Sequence, residues 1–312
     1  MTGVGGGRVA AAIDVGSNSV LLLTVAVEPD GRARAIDEAV VTTRLGTGLV
    51  ERGSLDPNAA RRTRECVVEF TARARRSGAR TPWAFATGAA RRACDGEAFV
   101  VALARAAACE VEILSGEREA ALAYAAAVDG LGLHGRSLLV VDVGGVTTEL
   151  TLGTGPAIRA STSLALGALA LTEACGGDAE RLVARVEAEL ATTDIPRQAR
   201  TADATIVGCG GTATALAALA LGLGRYDPSR VHGARLAARD LVPLATSGGH
   251  GGAALDPGRA TILPAGACIL VAVMAATESA VLTVSDHGVR HAYLRERLAR
   301  CGVVVDMRRL WN

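Results

Sequence analysis

The sequence predicts an α/β protein made of two similar halves that face each other across a central cleft. Two observations carry that expectation. The first is a pattern that occurs twice, as AAAIDVGSNSVLLLTVAV from Ala10 to Val27 and as LLVVDVGGVTTELTLG from Leu138 to Gly153. Each copy is an apolar run, then Asp-Val-Gly, then a short loop of small residues, then a second apolar run. Such runs are long enough for buried strands, and such loops are short enough for hairpins. The second observation is size: 312 residues with 50% hydrophobic content suit two domains with a core each.

In the first half, taken as residues 1–128, strands are expected near 9–15, 20–28 and 34–43. Asp56-Pro57 then opens a helix to about Arg76, because Asp is a good N-cap and Pro suits the first helical position. PWAFAT (82–87) reads as a strand, the Ala-rich stretch to Ala108 as a helix, and EVEIL (110–114) as a strand. SGEREAALAYAAAV follows as a helix, capped by Ser115 and carrying acids in its first turn, where the helix dipole favours them. The second half, 129–312, restarts with strands near 137–143, 147–153 and 157–164 and helices near 168–175 and 178–191. TIVGCGGTATALAALA gives a strand, a Gly turn and a helix start, and 246–258 reads as a loop. A helix from Pro264 to about Ser279, a strand at 281–284 and a helix at 287–300 follow. Two βββαβα-type halves are the pattern of the acetate kinase–actin–Hsp70 superfamily, a pair of ribonuclease-H-like domains around a cleft.

Composition excludes several chemistries. All 33 basic residues are Arg. A Walker lysine, a kinase β3 lysine and a Schiff-base lysine are therefore absent, and any grip on phosphate must come from Arg, backbone N–H groups or a metal. The net charge of +1 gives no global field for nucleic acid or a membrane surface. No uninterrupted apolar run is long enough to span a bilayer, and MTGVGGGR lacks a signal-peptide layout. The seven Cys are scattered without a CxxC, as for reduced thiols, so a cytoplasmic protein is expected. Charge is unevenly spread: ten Arg lie from Arg52 to Arg92 against Asp56, Glu65 and Glu69. That stretch reads either as a solvated helix face or as a landing strip for a polyanion.

The duplicated loops point to phosphate chemistry. An Asp at a strand end, beside backbone N–H groups freed by Gly and small residues, can hold a metal ion and a phosphate together. Gly also tolerates φ > 0 and lets backbone approach a ligand closely. Asp14 and Asp142 are the candidate metal ligands. Gly16, Ser17, Asn18 and Ser19, with Gly144, Gly145, Val146 and Thr147, are the candidate phosphate clamp. Glu119 lies on the first turn of the 115–128 helix, where it could take a proton from water or serve only as a dipole and capping residue beside Glu117. Arg91 follows a strand end, from which a guanidinium can bind phosphate in bidentate fashion; a surface charge pair with Arg92 is the plainer reading. Gly210-Gly211-Thr212 opens a helix, and helix N-termini bind anions. His287 and His291, four apart, have metal-ligand spacing, but no acid follows in a zincin pattern and Arg290 sits between them.

Taken together, these segments resemble the exopolyphosphatases and guanosine pentaphosphate phosphohydrolases, the Ppx/GppA family, in ordered blocks that run nearly end to end. IDVGSNS is similar to the family's first phosphate loop. ATGAARRA is similar to the segment with its active-site Arg, which falls on Arg91, and SGEREA to the segment with its catalytic Glu, which falls on Glu119. VVDVGGVTTEL is similar to the second loop, with Asp142 and Glu149 in place. SLALGALALTE (163–173), VGCGGTATALAAL (207–219), RATILPAGACIL (259–270) and VSDHGVRHAYL (284–294) resemble later family blocks. The resemblance implies hydrolysis of a terminal phosphoanhydride, with Mg²⁺ or Mn²⁺ near Asp14 and Asp142. It implies Arg91 on the transferring group, Glu119 deprotonating water and Glu149 placing water or metal. It further implies the short two-domain form without the HD-type helical domain, inorganic polyphosphate or pppGpp as substrate, and neither nucleic acid nor membrane as partner. A homodimer stays open.

Two positions depart from the family pattern. Val146 stands where the family loop has a third Gly, and a β-branched residue resists φ > 0. The loop is then either strained there or keeps φ < 0 with Val packed between the halves. Val20-Leu21 stands where the family has an apolar residue and then Arg, Lys or His. Exopolyphosphatase is the leading expectation, beside three others. A pppGpp phosphohydrolase would share every residue above. A sugar or acetate kinase on the same fold is disfavoured by the Glu119 block. A weakened sensor that binds polyphosphate or nucleotide is favoured by Val146 and Leu21 and opposed by Glu119, Arg91, Asp142 and Glu149.

Overall fold

The computed structural model describes residues 8–246 and 257–311. Each copy of the duplicated pattern begins a sheet. β1 (Arg8–Val15), β2 (Ser19–Val27), β3 (Ala33–Thr42), β4 (Trp83–Ala86) and β5 (Glu110–Ile113) form a sheet in the order β3-β2-β1-β4-β5. β6 (Ser137–Val143), β7 (Thr148–Thr154), β8 (Ala157–Leu164), β9 (Thr205–Cys209), β10 (Arg235–Ala237) and β11 (Val281–Val284) form the other, in the order β8-β7-β6-β9-β11-β10. Apart from the edge strand β10, the two orders are the same. Three strands run antiparallel as a meander, a fourth joins the first of them in parallel, and a fifth joins the fourth in parallel. This is the doubled ribonuclease-H-like arrangement expected from the sequence.

Helices make the crossovers. In the first half these are α1 (Leu49–Arg52), α2 (Pro57–Arg76), α3 (Gly88–Arg92) and α4 (Gly96–Ala107), and α5 (Gly116–Leu131) leads to the second sheet. In the second half they are α6 (Ala168–Cys175), α7 (Ala179–Leu190), α8 (Ile195–Thr201), α9 (Gly210–Ala220), α10 (Pro228–Val231), α11 (Ala238–Thr246), α12 (Pro257–Ala260), α13 (Leu263–Ala276) and α14 (Val289–Arg300). The caps read from sequence are present. Asp56 Oδ1 accepts from the Ala59 N–H at 2.8 Å, with Pro57 at the first helical position. Ser115 Oγ accepts from the Arg118 N–H at 3.2 Å. Patterning missed β10, α1, α8, α10, α11 and α12; β10 has only three residues and α1, α10 and α12 four each, too few to display a period. The loop expected at 246–258 lies largely outside the described residues.

Three clusters of buried side chains hold this frame. One fills the first half with Ile13, Leu22, Phe70 and Leu103, and Val146 of the second loop belongs to it. One fills the second half around α13. The third joins the halves, bringing Leu23 and Phe85 together with Val140, Val207, Tyr124 of α5 and Leu294 of α14. That shared core sets the two hairpins opposite each other. The chain after α14 returns to the first sheet, where the Asp306 and Leu310 carbonyls accept from the Ala33 and Ala35 N–H groups, both at 2.9 Å. Among the described residues, no helix is long and apolar enough to cross a membrane.

Candidate active site

Both hairpins close in the same way. The Gly16 N–H donates to the Ser19 carbonyl at 3.0 Å, and the Gly144 N–H to the Thr147 carbonyl at 2.9 Å. Neither glycine has a left-handed φ. A Cβ there would come within 2.9 Å of the Ser19 oxygen or 3.0 Å of the Thr147 oxygen, so close approach is what requires glycine. The two loops also touch: a Cβ on Gly145 would lie 3.0 Å from Ser17 Cβ and 3.2 Å from the Asn18 nitrogen.

Between the loops lies a cavity of about 390 Å³. Asp14, Gly16, Ser17, Asn18, Ser19, Glu119, Asp142, Gly144, Gly145, Thr147, Gly210, Gly211 and Thr212 line it. Gly210, with φ +76°, is seated on Asp142; a Cβ there would sit 2.2 Å from Asp142 Oδ1. The Thr212 hydroxyl donates to the Val143 carbonyl at 3.1 Å. Three residues chosen from the sequence do not line the cavity. Val146 is buried in the core of the first half, and it has no positive φ, so the strain considered for it is absent. Arg91 and Glu149 sit against Glu119 instead.

Arg91, on the short helix α3 after β4, organises the acids. Its Nη1 donates to Glu119 Oε2 at 2.6 Å and to the Leu114 carbonyl at 3.0 Å. Its Nη2 lies 3.5 Å from Glu149 Oε1 and makes no hydrogen bond of its own. Arg92, one residue on, is exposed. Glu149 Oε1 accepts from the Ser163 hydroxyl at 2.8 Å, and the β6–β7 register places Glu149 directly opposite Asp142.

Burial dominates the electrostatics of this group. It pushes Asp14 up to about 8 and Asp142 up to about 7, and repulsion from Glu119 adds to both. Arg290 pulls Asp14 the other way. Glu119 is raised by burial against the opposing pull of Arg91. Glu149 stands well above the carboxylate range through burial and repulsion from Glu119 and Asp142. Buried carboxylates this close ionise together only if positive charge joins them. Hard oxygen donors short of positive charge fit a divalent cation such as Mg²⁺ at Asp14 and Asp142.

A different trio, Glu38, Asp286 and His291, brings potential ligand atoms within 4.8 Å of one another. His291 Nδ1 accepts the Gly288 N–H at 3.0 Å, so its proton sits on Nε2 and no lone pair is left there for a metal. His287 precedes α14, and its ring stacks on His291 with centroids 4.7 Å apart. Burial lowers His287 to about 3, which keeps it neutral. A second hollow of about 250 Å³, beside Asp129, His134, His287 and Arg295, contains neither hairpin loop.

Sequence reasoning missed two cavity arginines. Arg259 of α12 sends Nη2 to Ser19 Oγ at 3.3 Å, and its guanidinium lies over Gly211, where a Cβ would come 3.1 Å from Cζ. Arg290 of α14 lines the cavity and donates to Glu38 Oε1 at 3.0 Å. Each lay in a segment that resembles a family block, but an isolated Arg among apolar neighbours has no spacing that marks it.

A model of the Ppx/GppA phosphatase family matches residues 24–300. Exopolyphosphatase 2 of Mycobacterium tuberculosis is 30% identical over 309 residues, covering 89% of this chain and 95% of that protein. The guanosine-5'-triphosphate,3'-diphosphate pyrophosphatase of Vibrio vulnificus is 28% identical over 311 residues, covering 96% of this chain and 61% of that protein. The crystal structure of the Aquifex aeolicus Ppx/GppA family member aligns with a TM-score of 0.75 at 29% identity, over 94% of this chain and 98% of that one. An exopolyphosphatase structure from Cytophaga hutchinsonii aligns with a TM-score of 0.82 at 19% identity, over 95% and 99% of the two chains, a likeness in fold alone.

Proposed function

The chain belongs to the Ppx/GppA phosphatase family, and from that premise we propose that its cleft hydrolyses the terminal phosphoanhydride of inorganic polyphosphate and releases orthophosphate. One observation carries this reading: the 2.6 Å contact of Arg91 with Glu119, set beside two phosphate-type loops that face each other. It joins a base, a cation for the phosphoryl group and a phosphate seat in one place.

Mg²⁺ or Mn²⁺ bound at Asp14 and Asp142 would neutralise charge on the phosphate oxygens. The rest belongs to the chain. The N–H groups of Gly16 and Gly144 are spent on closing the hairpins, so the loop residues after them cradle the terminal phosphoryl group. Glu119 takes the proton from the attacking water; burial raises its basicity, while Arg91 and Thr87 fix its orientation. Arg91, through the guanidinium that grips Glu119, would stabilise charge as it develops on the phosphoryl group, an effect worth roughly 10³-fold or more in such sites. Glu149 holds Arg91 from its other side.

The exopolyphosphatase from M. tuberculosis, matched over 95% of its length, supports polyphosphate as substrate. A second reading, pppGpp 5'-phosphohydrolase, is favoured by the apolar wall of the same cavity. Leu21, Val40, Ile262, Leu263, Val289 and Tyr226 suit a nucleoside and offer little to a bare phosphate chain. The sensor reading loses one support with the relaxed backbone of Val146. Phosphate release from polyphosphate and from pppGpp, measured side by side with Mg²⁺ or Mn²⁺, tests all three. A higher kcat/KM on polyphosphate supports the first, release from pppGpp alone the second, and release from neither the sensor.

A further inference from the structure

Residues 43–48 join β3 to α1 and run against the first phosphate loop. The Asn18 carbonyl accepts from the N–H groups of Thr43 at 3.1 Å and Arg44 at 2.8 Å, and the Ser17 carbonyl accepts from the Gly46 N–H at 2.8 Å. Within this segment Arg44 holds φ at +53°, one of four non-glycine residues among those described to do so. L-residues avoid that region because Cβ crowds the following carbonyl, and such conformers persist where their surroundings over-determine them. The backbone half of the constraint is the Asn18 carbonyl. The side-chain half lies across the cleft, where Arg44 Nη2 donates to the Gly258 carbonyl at 2.9 Å and to Thr261 Oγ1 at 2.7 Å.

Gly258 and Thr261 flank Arg259, which sends its own guanidinium back to Ser19 Oγ at 3.3 Å. Two arginines thus cross the cleft in opposite directions, each tying the first loop to the 258–261 turn. The same segment makes a third crossing, from the Gly48 N–H to Glu173 Oε2 of α6 at 3.0 Å.

We propose that Arg44 is a positioning residue that clasps the two halves and holds the Arg259 turn over the phosphate loops. The proposal rests on the phosphate-cleft reading above. Arg44 is not among the cavity-lining residues, so it acts through Arg259. With the turn already fixed, less side-chain and backbone freedom is lost when a phosphate chain binds, and the gain appears in affinity rather than in the chemical step.

The test compares the full chain with Arg44→Met, Arg44→Gly, Arg259→Met and the Arg44→Met/Arg259→Met double variant. Binding of imidodiphosphate, a P–N–P analogue that resists hydrolysis, is measured by calorimetry with Mg²⁺, alongside KM and kcat on polyphosphate and the melting temperature. Arg44→Gly adopts φ > 0 without strain, so it separates loss of the clasp from loss of folding. Both Arg44 variants should weaken binding and raise KM by about 3- to 10-fold while kcat stays within about 3-fold. Arg44→Met should cost nothing further in the Arg259→Met background. Losses that add in the double variant, or an Arg44→Gly protein that binds like the parent, overturn the role of Arg44 and leave the phosphate-cleft reading standing. A parent protein that binds no imidodiphosphate overturns that reading, and the clasp with it.

Discussion

Asp142 and Glu149 stand directly opposite each other across the β6–β7 ladder, whereas the matching partner of Asp14 in the β1–β2 ladder is Leu21. The two hairpins close with the same turn bond but differ in charge. The second hairpin presents a pair of acids, and the first presents one acid against an apolar side chain. Arg91 meets Glu149 at 3.5 Å and Glu119 at 2.6 Å, so the ion pairs of the buried acids gather on the side of the second hairpin. The first sets Asp14 beside the 16–19 loop with no second acid opposite it.

Glu119→Gln should abolish turnover and keep substrate binding nearly intact. The substitution keeps shape and removes the base, whose loss typically costs about 10²–10⁴-fold. Steady-state phosphate release with a parallel binding measurement checks this; a variant keeping more than about a third of the parent rate would remove Glu119 from the base role.

Arg91→Ala should lose far more activity than Arg92→Ala. Arg91 is inserted between two buried acids, whereas Arg92 is exposed. The expected losses are about 10³-fold and under about 3-fold. Comparable losses in kcat/KM would show that the guanidinium serving the phosphoryl group has been misassigned.

Val146→Gly should destabilise the protein and leave kcat/KM no higher. The family pattern alone suggests the opposite, relief of strain. Val146 has no left-handed φ and is 2% exposed within the core of the first half. Removing a buried Val side chain and adding backbone freedom costs roughly 2–3 kcal/mol. Urea denaturation measures the loss, and a variant of unchanged midpoint with raised kcat/KM would refute the packing account.

Mg²⁺ should stabilise the protein more at pH 8 than at pH 5. Asp14 and Asp142 are raised from 3.8 to about 8 and about 7. A carboxyl with a raised native pKa holds its proton more tightly when folded. The metal-free protein therefore loses stability as pH climbs from about 4 toward 8 and levels off above that. A cation on the two carboxylates takes the place of the protons and opposes the loss. Melting curves with Mg²⁺ or EDTA at both pH values decide it; an equal gain at each would place the cation elsewhere.

The sequence by itself determined most of the strands and helices of both halves and the setting of Asp14 and Asp142 at the ends of strands that turn through short Gly-containing loops. Apolar runs, Asp-Val-Gly turns and the Asp56 and Ser115 caps are local signals, set by residues within a few positions of one another. Tertiary structure decided the rest. Arg259 and Arg290 enter the cavity because of how α12 and α14 pack, and neither helix carries a pattern that says which face meets the cleft. Val146 keeps a relaxed backbone and packs among residues of the other half, which chose between the two outcomes its sequence left open. His287 and His291 stack as neutral rings where spacing alone suggested metal ligands. The raised pKa values of the acids depend on desolvation by both halves at once. Packing and desolvation join residues far apart in the chain, and a single sequence records no distance between them.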